Sequence, residues 1–314
     1  MLNRRRFLTV TAAAGALALS RGRPARAADP LVWRGNALGA DASLILYAGT
    51  PGEARTLLRE SLSELERLER IFSLYREDSH LVRLNREGRL DTPPAELVEL
   101  LTISRHLSQL SEGAFDVTVQ PLWALYAAHF TKTDATPRGP AAAALAETVR
   151  RVDWRAVTVD PRRISFDIPG MAVTLNGIAQ GYITDRIADH LKARGLPHVL
   201  VDMGEIRAVG PRPDGTPWRA ALEGGGQVGL NDRALSTSSP DGTRFSPTCN
   251  HLFNPKTGGC SQAAGPVSVV APTATLADAL STAVAIGGPR LGTRLAGTLG
   301  SVGIFYGTRP ASGA

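Results

Sequence analysis

Apolar side chains recur every three or four residues in two stretches of the first half of the chain, and this spacing predicts two amphipathic helices. The first covers 57–72, where glutamates occupy many of the intervening positions, and the second runs from Ala95 to about Ser111. The polar, breaker-rich stretch Ala128–Pro140 then predicts a loop between two halves. The apolar stripes consist of Leu57, Leu58, Leu62, Leu65, Leu68 and Phe72 in the first helix, and of Leu97, Leu100, Leu101, Ile103, Leu107 and Leu110 in the second.

Short strand-like runs dominate the second half. A polar turn between two of them predicts a hairpin of Ala156–Val159 and Ile164–Phe166. The apolar segment Met171–Gly177 leads through a glycine turn into a predicted helix that stops at Gly195-Leu196-Pro197. Because most strands have no helix between them, the pattern favours an α+β fold over a regular βαβ series. Further elements are predicted as strands at Val199–Val201, Trp218–Leu222 and Val267–Ala271, and as a last helix from about Thr275.

Residues 1–28 have the features of an export signal. The apolar stretch Phe7–Leu19 contains 13 residues, and a helix of that length rises only about 20 Å, too little for a hydrocarbon core of about 30 Å. The small-residue site Ala25-Arg26-Ala27 is typical of signal cleavage. The order Arg4-Arg5-x-Phe7-Leu8 resembles a twin-arginine signal, which predicts a periplasmic location and no stable membrane insertion after cleavage. An uncleaved membrane anchor is the alternative.

The excess positive charge of the chain lies within this N-terminal segment. A net charge of +6 and an isoelectric point near 9.8 invite a nucleic-acid or membrane-surface interpretation. Six arginines and no acidic residue lie within 1–28, so the remaining chain is close to neutral and no nucleic-acid partner is expected. A hydrophobic content of 43% over 314 residues excludes a disordered chain and allows one large domain or two modest ones.

The first candidate for chemistry is Ala277-Asp278-Ala279-Leu280-Ser281-Thr282. Asp278 and Thr282 are four residues apart on a predicted helix, so their oxygens share one face. A carboxylate with a hydroxyl suits a hard cation such as Mg²⁺, which takes few protein ligands and keeps several waters. The alternative is an ordinary aspartate in a first helical turn, where the helix dipole favours it.

Two further segments could border a site. Leu175 to Tyr182 forms a glycine turn before a helix, where backbone N–H groups can receive a phosphate, although an ordinary strand-to-helix turn has the same pattern. His251 lies in a loop rich in Pro and Gly and could act as a general base or be structural. Cys249 and Cys260 flank that loop, and a disulfide and two free thiols both remain open.

Five blocks, taken in chain order, resemble the ApbE family, the FAD:protein FMN transferases. The resemblance spans about 31–306. The blocks are Ser73-x-Tyr75 with Ser79-x-x-x-x-Leu84-Asn85; Gly113-Ala114-Phe115-Asp116-Val117-Thr118 followed by Pro121-Leu122; Gly177-Ile178-Ala179-Gln180-Gly181-Tyr182 followed by Asp185; His251 through Gly258; and Ala277-Asp278-Ala279-Leu280-Ser281-Thr282.

This resemblance implies a single large α+β domain over 29–314, with an antiparallel or mixed sheet and flanking helices. It also implies an exported, Mg²⁺-dependent enzyme with FAD as its substrate. FMN is moved to a Ser or Thr hydroxyl of a target flavoprotein through a phosphoester bond, and AMP is released. The implied acceptor is a periplasmic domain of a membrane flavoprotein. The segment LNGIAQGYITDR and the twin-arginine signal are together similar to the exported branch associated with nitrous-oxide respiration.

The resemblance assigns roles position by position. His251 matches the family's histidine and is assigned catalysis. Asp278 and Thr282 match the metal ligands, and the backbone carbonyl of Gly177 completes that site. The positions that match flavin or FAD contacts are Leu38, Tyr75, Ala114, Phe115, Asp116, Thr174 and Gln180.

Four positions depart from the family pattern. Thr174 and Asn254 stand where the family commonly has Asp, Gln180 where it has Lys, and Glu205 where it has Gly. These departures leave two other functions open: a non-catalytic periplasmic protein that binds or delivers FAD, and an FAD pyrophosphatase in which water replaces the acceptor hydroxyl.

Overall fold

A seven-stranded sheet joins the N-terminal and C-terminal parts of the chain. The structure is a computed structural model that describes residues 29–308, and the predicted export signal at 1–28 lies outside them. Within the described residues the strands are β1 (Leu31–Ala37), β2 (Ala40–Leu46), β3 (Arg89–Asp91), β4 (Val157–Asp160), β5 (Arg163–Phe166), β6 (Val199–Asp202), β7 (Ile206–Val209), β8 (Trp218–Ala221), β9 (Gln227–Leu230), β10 (Ala234–Ser238), β11 (Val267–Ala271) and β12 (Gly303–Tyr306). The α-helices there are α1 (Pro51–Phe72), α2 (His80–Glu87), α3 (Ala95–Leu110), α4 (Gln120–Phe130), α5 (Ala142–Val149), α6 (Ala179–Ala193) and α7 (Ala274–Leu299).

The main sheet is antiparallel throughout, in the order β1-β2-β6-β7-β10-β11-β12. β2 pairs with β6 from Leu46 opposite Val199 to Ser43 opposite Asp202, so the two predicted halves share one sheet. Smaller sheets form from β3-β5-β4 and from β8-β9. The prediction of a single α+β domain is confirmed. The sheet was predicted to be antiparallel or mixed, and the structure shows that it is antiparallel.

The two faces of the sheet are covered differently. Leu44 of β2 and Val201 of β6 point into the main core, where α1, α6 and α7 pack against the strands. Ile45 and Leu200, one position along, lie on the opposite face with Trp218 of the β8–β9 hairpin. This period of two is the alternation expected of strands with both faces buried. The sheet therefore holds α6 and α7 side by side on one face.

Helix boundaries follow local signals in the sequence. The Thr50 side chain accepts from the Glu53 N–H at 3.2 Å and caps α1, while Gly195, with φ of 86°, follows the end of α6. The predicted helices at α1, α3 and α6 and the predicted β4–β5 hairpin are confirmed. The stretch Ala128–Pro140 is only partly a loop, because α4 continues to Phe130. Across residues 29–308, no helix is both long and apolar enough to cross a membrane.

Both cysteines are free thiols that lie in a cluster around Tyr126 of α4. Cys249 is buried, and the rings of Phe253 and Tyr126 pack at an angle of 39° with centroids 4.8 Å apart. Burial raises the pKa of the Cys260 thiol to about 11. Of the two alternatives, the structure therefore shows unpaired cysteines, and Cys260 is a poor nucleophile at neutral pH because it remains protonated.

Asp116 connects two short 3₁₀ turns. Its Oδ1 accepts from the Thr118 N–H at 2.8 Å and the Thr118 hydroxyl at 2.6 Å, and its Oδ2 accepts from the Trp154 N–H at 3.2 Å. The side chain is buried. Burial, opposed by these hydrogen bonds, raises the pKa of Asp116 to about 6. The carboxylate therefore acts as a cap at the start of the turn Val117–Val119.

We expect Asp116 to make the free energy of unfolding fall as pH rises from 3.8 towards about 6, the interval between its ordinary and its raised pKa. The folded chain holds this proton more tightly than the unfolded chain, so the contribution is complete below pH 3.8 and is lost as pH rises through about 6, by at most about 3 kcal/mol. Urea unfolding of Asp116→Asn at a series of pH values should show a flatter profile.

The measured quantity is the slope of the free energy of unfolding against pH. The absolute stability is not used, because the Asn amide also loses the hydrogen bond from the Trp154 N–H. Asp134→Asn, at an exposed loop position, is the matched control and should keep the wild-type slope. An Asp116→Asn profile that is parallel to wild type between pH 4 and 6 would contradict this assignment.

Candidate active site

The predicted site residues meet in one pocket of about 950 Å³. Its walls come from the β1–β2 turn, the segments before α4 and α6, the loop after β10, and α7. Blocks that are far apart in the chain therefore converge in space. The pocket lining includes every residue assigned a role above: Leu38, Tyr75, Ala114, Phe115, Asp116, Thr174, Gly177, Gln180, His251, Asp278 and Thr282.

Asp278 lies where α6 and α7 cross. Its side chain is 3% exposed, and Oδ2 accepts from the Gly181 N–H at 3.0 Å. The helices approach so closely that a Cβ atom on Gly181 would come 2.8 Å from the nitrogen of Thr275. Only glycine fits there without moving backbone, and this explains the glycine in the third sequence block.

Thr282 is held by one hydroxyl group of the neighbouring strand β10. Its Oγ1 lies 3.0 Å from Oγ of Ser238 on β10, and Ser238 Oγ lies 2.8 Å from Oγ of Ser281. Gly177 lies beside this group, since a Cβ atom on it would be 3.0 Å from Thr282 Oγ1. Ser238 lines the pocket and was missed in the sequence, where a serine in a strand carries no distinctive spacing.

These groups form a set of oxygen donors that fits a hard cation. The carboxylate of Asp278, the hydroxyl of Thr282 and the backbone of Gly177 border one part of the pocket. Within residues 29–308 no three His, Cys, Asp or Glu side chains gather in a metal-binding cluster. A cation at this place would therefore have few charged ligands, which suits an ion that keeps several waters.

His251 lies on a loop that lines the same pocket and is oriented by Thr243. The His251 N–H donates to the Thr243 carbonyl at 3.1 Å. The ring Nδ1 is 3.2 Å from the Thr243 nitrogen and 3.1 Å from its carbonyl oxygen, so either tautomer finds a partner. A ring held at one nitrogen is oriented for proton transfer at the other.

The positions predicted to contact the flavin differ in how firmly they are held. Leu38 has φ of 46°, a left-handed conformation that costs about 1–2 kcal/mol in a non-glycine residue, and its N–H donates to Glu69 Oε1 at 2.7 Å. Phe115 is buried, whereas Tyr75 is 71% exposed at the rim. An exposed aromatic ring at a pocket mouth offers a surface for stacking.

Asn85, in the first sequence block, is hydrogen-bonded to the segment that leads into the third block. Its amide donates to the Val173 carbonyl at 2.8 Å and accepts from the Val173 N–H at 2.7 Å. The next residue, Thr174, donates its N–H to the Val117 carbonyl at 2.7 Å. The segment that carries Thr174 and Gly177 into the pocket is therefore fastened to α2 and to the 3₁₀ turn.

Three of the residues that depart from the family pattern have contacts or burial that the structure defines. Asn254 accepts from the Lys256 N–H at 2.9 Å through Oδ1, a turn contact that Asp makes equally well. Gln180 lies against Gly204, where a Cβ atom would be 2.7 Å from Gln180 Cδ. Glu205, the residue after Gly204, is 6% exposed and adds a carboxylate to the pocket lining.

Charge in the pocket is mostly negative. Among the described lining residues, Arg244 is the only Lys or Arg, and its Nε bonds Asp241 Oδ1 at 2.5 Å. An anionic ligand would therefore meet no unpaired Lys or Arg in this lining, and a metal ion would supply the positive charge that such side chains do not. The remaining acidic lining residues are Asp41, Asp116, Glu205, Glu223 and Asp278.

Comparison with known proteins gives the same family at the levels of sequence and fold. Residues 38–305 match the ApbE family. The chain is 31% identical over 275 residues to the FAD:protein FMN transferase of Vibrio cholerae serotype O1, covering 80% of each protein. It is 27% identical over 280 residues to the FAD:protein FMN transferase of Escherichia coli K12, covering 82% of this chain and 76% of the relative.

Solved structures agree with this relationship. The apo form of the Pseudomonas stutzeri flavinyl transferase ApbE superposes with a TM-score of 0.76 at 29% identity, over 90% of this chain and 92% of that one. A mutant of the flavin transferase ApbE from Vibrio cholerae has the same TM-score at 27% identity, over 91% and 96%. By its family match, its relatives and its fold, the chain belongs to the ApbE family.

Proposed function

We propose that this protein is an FAD:protein FMN transferase. The observation that carries the proposal is the convergence of five separate sequence blocks on one pocket, with an oxygen donor set on one wall and an oriented histidine on another. The relatives named for this activity cover most of the chain and support the same assignment. The departures at Gln180 and Asn254 leave this framework intact.

In the proposed reaction, the hydroxyl oxygen of an acceptor Ser or Thr attacks the phosphorus of the FMN half of FAD. A new phosphoester bond forms, the pyrophosphate P–O bond breaks, and AMP leaves with the bridging oxygen. His251 takes the hydroxyl proton, for which the Thr243 contacts orient its ring. Such a positioned base contributes about 10²–10⁴-fold to the rate.

We propose Mg²⁺ as the cation of this site. Asp278, Thr282 and the Gly177 carbonyl would hold it, and the chemistry of these oxygens fits. Bound there, Mg²⁺ supplies charge neutralisation at the pyrophosphate and Lewis-acid stabilisation of the leaving phosphate.

The export proposal depends on the sequence of 1–28. A twin-arginine signal would deliver the folded protein to the periplasm, where we propose that it acts on a periplasmic domain of a membrane flavoprotein. Membership of the branch associated with nitrous-oxide respiration stays a prediction from the LNGIAQGYITDR segment.

Incubation of the purified protein with FAD, Mg²⁺ and a periplasmic flavoprotein domain should yield a covalently fluorescent acceptor band in a denaturing gel. AMP should appear in equal amount, because each transfer breaks one pyrophosphate bond. Intact FAD bound to the protein without transfer would support the binding or delivery alternative. Free FMN and AMP with an unlabelled acceptor would instead support FAD hydrolysis.

Asp278→Ala should lower the rate of transfer by at least about 10²-fold, since it removes the charged oxygen donor of the set. The rate is measured from the initial increase in acceptor fluorescence at saturating FAD. Asp134→Ala, which removes a carboxylate from an exposed loop, is the control and should keep the wild-type rate. A fully active Asp278→Ala variant would remove this residue from the metal site.

His251→Ala should lower kcat by about 10²–10⁴-fold while FAD affinity changes little, because the lost group moves a proton and the oxygen donor set is unchanged. FAD binding is followed by isothermal titration calorimetry, and kcat by the gel assay. His106→Ala, on an exposed position of α3, is the matched control. Loss of FAD binding with kcat unchanged would assign His251 to the substrate pocket and not to proton transfer.

A further inference from the structure

Asp185 of α6 binds the first turn of α7 with both carboxylate oxygens. Oδ1 accepts from the Ala274 N–H at 2.8 Å, and Oδ2 accepts from the Thr275 N–H at 2.8 Å and the Thr275 hydroxyl at 2.6 Å. The first N–H groups of a helix have no partner within the helix, and negative charge is favoured beside them. Asp185 therefore caps α7 from a different helix.

Arg207 of β7 secures this carboxylate from the other side. One terminal nitrogen lies 2.6 Å from Asp185 Oδ1, and the other lies 2.9 Å from Asp189 Oδ1. The Arg207 side chain is 14% exposed and that of Asp185 is 10% exposed, so the pair is largely withdrawn from water. A charge at such a depth is stable only when it is paired and hydrogen-bonded, as it is here.

A second contact runs in the opposite direction across the same crossing. Asp278 of α7 accepts from the N–H of Gly181 in the first turn of α6. Gly181 and Asp185 are four residues apart on α6, and Ala274 and Asp278 are four residues apart on α7. On each helix the carboxylate thus lies one turn after the residue whose N–H the other helix binds, and the two contacts oppose both sliding and rotation of α7.

We propose that Asp185 is a positioning residue for the metal site: it sets the register of α7, and thereby the places of Asp278 and Thr282. This inference rests on the proposed function. The role goes beyond helix capping because α7 carries Asp278 and Thr282, the two side chains that would bind the metal. A displacement of these side chains by about 1 Å would weaken the site. The Thr273 cap of α7 and its apolar packing do not depend on Asp185, so the helix itself remains when Asp185 is changed.

The test measures Mn²⁺ binding to the full chain without FAD or acceptor, by electron paramagnetic resonance of the free ion. Asp185→Asn should raise the Mn²⁺ Kd by about tenfold or more, the range seen when outer partners of metal ligands are removed. Asp189→Asn is the matched control: it loses its ion pair with the same Arg207, has no hydrogen bond to α7, and should keep the wild-type Kd.

Thr275→Val serves as a second variant, since it removes one hydrogen bond to Asp185 and keeps the shape of the side chain. It should raise the Kd by a few-fold, and it decides the matter if Asp185→Asn does not fold. Mn²⁺ Kd values within twofold of wild type in the folded variants, with a lowered Tm alone, would reduce Asp185 to a stabilising cap and overturn the proposal.

The metal test is separate from the transferase assay. Mn²⁺ binding that is weakened by Asp185→Asn, together with absence of FMN transfer to any acceptor, would defeat the proposed function and leave the positioning role standing. Failure of the wild-type protein to bind Mn²⁺ would overturn the positioning role together with the metal site, whatever the transfer assay shows.

Discussion

The close crossing of α6 and α7 is the contact on which the rest of the site depends. Gly181 lets the two helices approach until backbone meets backbone, and Asp278 then reaches the start of α6. The antiparallel sheet beneath holds both helices on one face. A side chain at position 181 would separate the helices by the width of a methyl group, and the oxygen donors of α7 would leave the wall of the pocket.

Electrostatics of the pocket are consistent with this design. The chain beyond residue 28 is close to neutral, and the described lining offers carboxylates with one paired arginine. A basic surface is therefore not the means by which an anionic pyrophosphate would be held. A cation at the Asp278 wall can fill that role, because its charge would lie directly against the ligand in a defined geometry.

The positions that depart from the family show why a motif and its geometry have to be read together. Asn254 keeps the turn contact that an aspartate makes, so its loop retains its shape. The Gln180 side chain packs against Gly204, the residue before Glu205, where the φ of 100° in the β6–β7 turn suits a glycine. Gln180 and Glu205 are far apart in the sequence, whereas in the structure both line the pocket and Gln180 contacts the β6–β7 turn that carries Glu205.

Much of the fold and the site was predictable from the sequence. Helical spacing located α1 and α3, a polar turn located the β4–β5 hairpin, and the five ordered blocks named the residues that line the pocket. These features are local or depend on residue type, and so they are visible in a linear chain. The export signal stays a prediction from the sequence alone, since residues 1–28 lie outside the described structure.

Tertiary structure alone decided what joins these parts. The pairing of β2 with β6, the free state of Cys249 and Cys260, and the hydroxyl contact of Ser238 with Thr282 all link residues distant in sequence. The reciprocal contacts of Asp185 and Asp278 also link distant residues, since each carboxylate binds a backbone N–H of the other helix. Every residue except proline has a backbone N–H, so the sequence does not indicate which of them a carboxylate binds. The sequence determined which groups this protein has for chemistry, and the packing of two helices on a sheet determined where those groups meet.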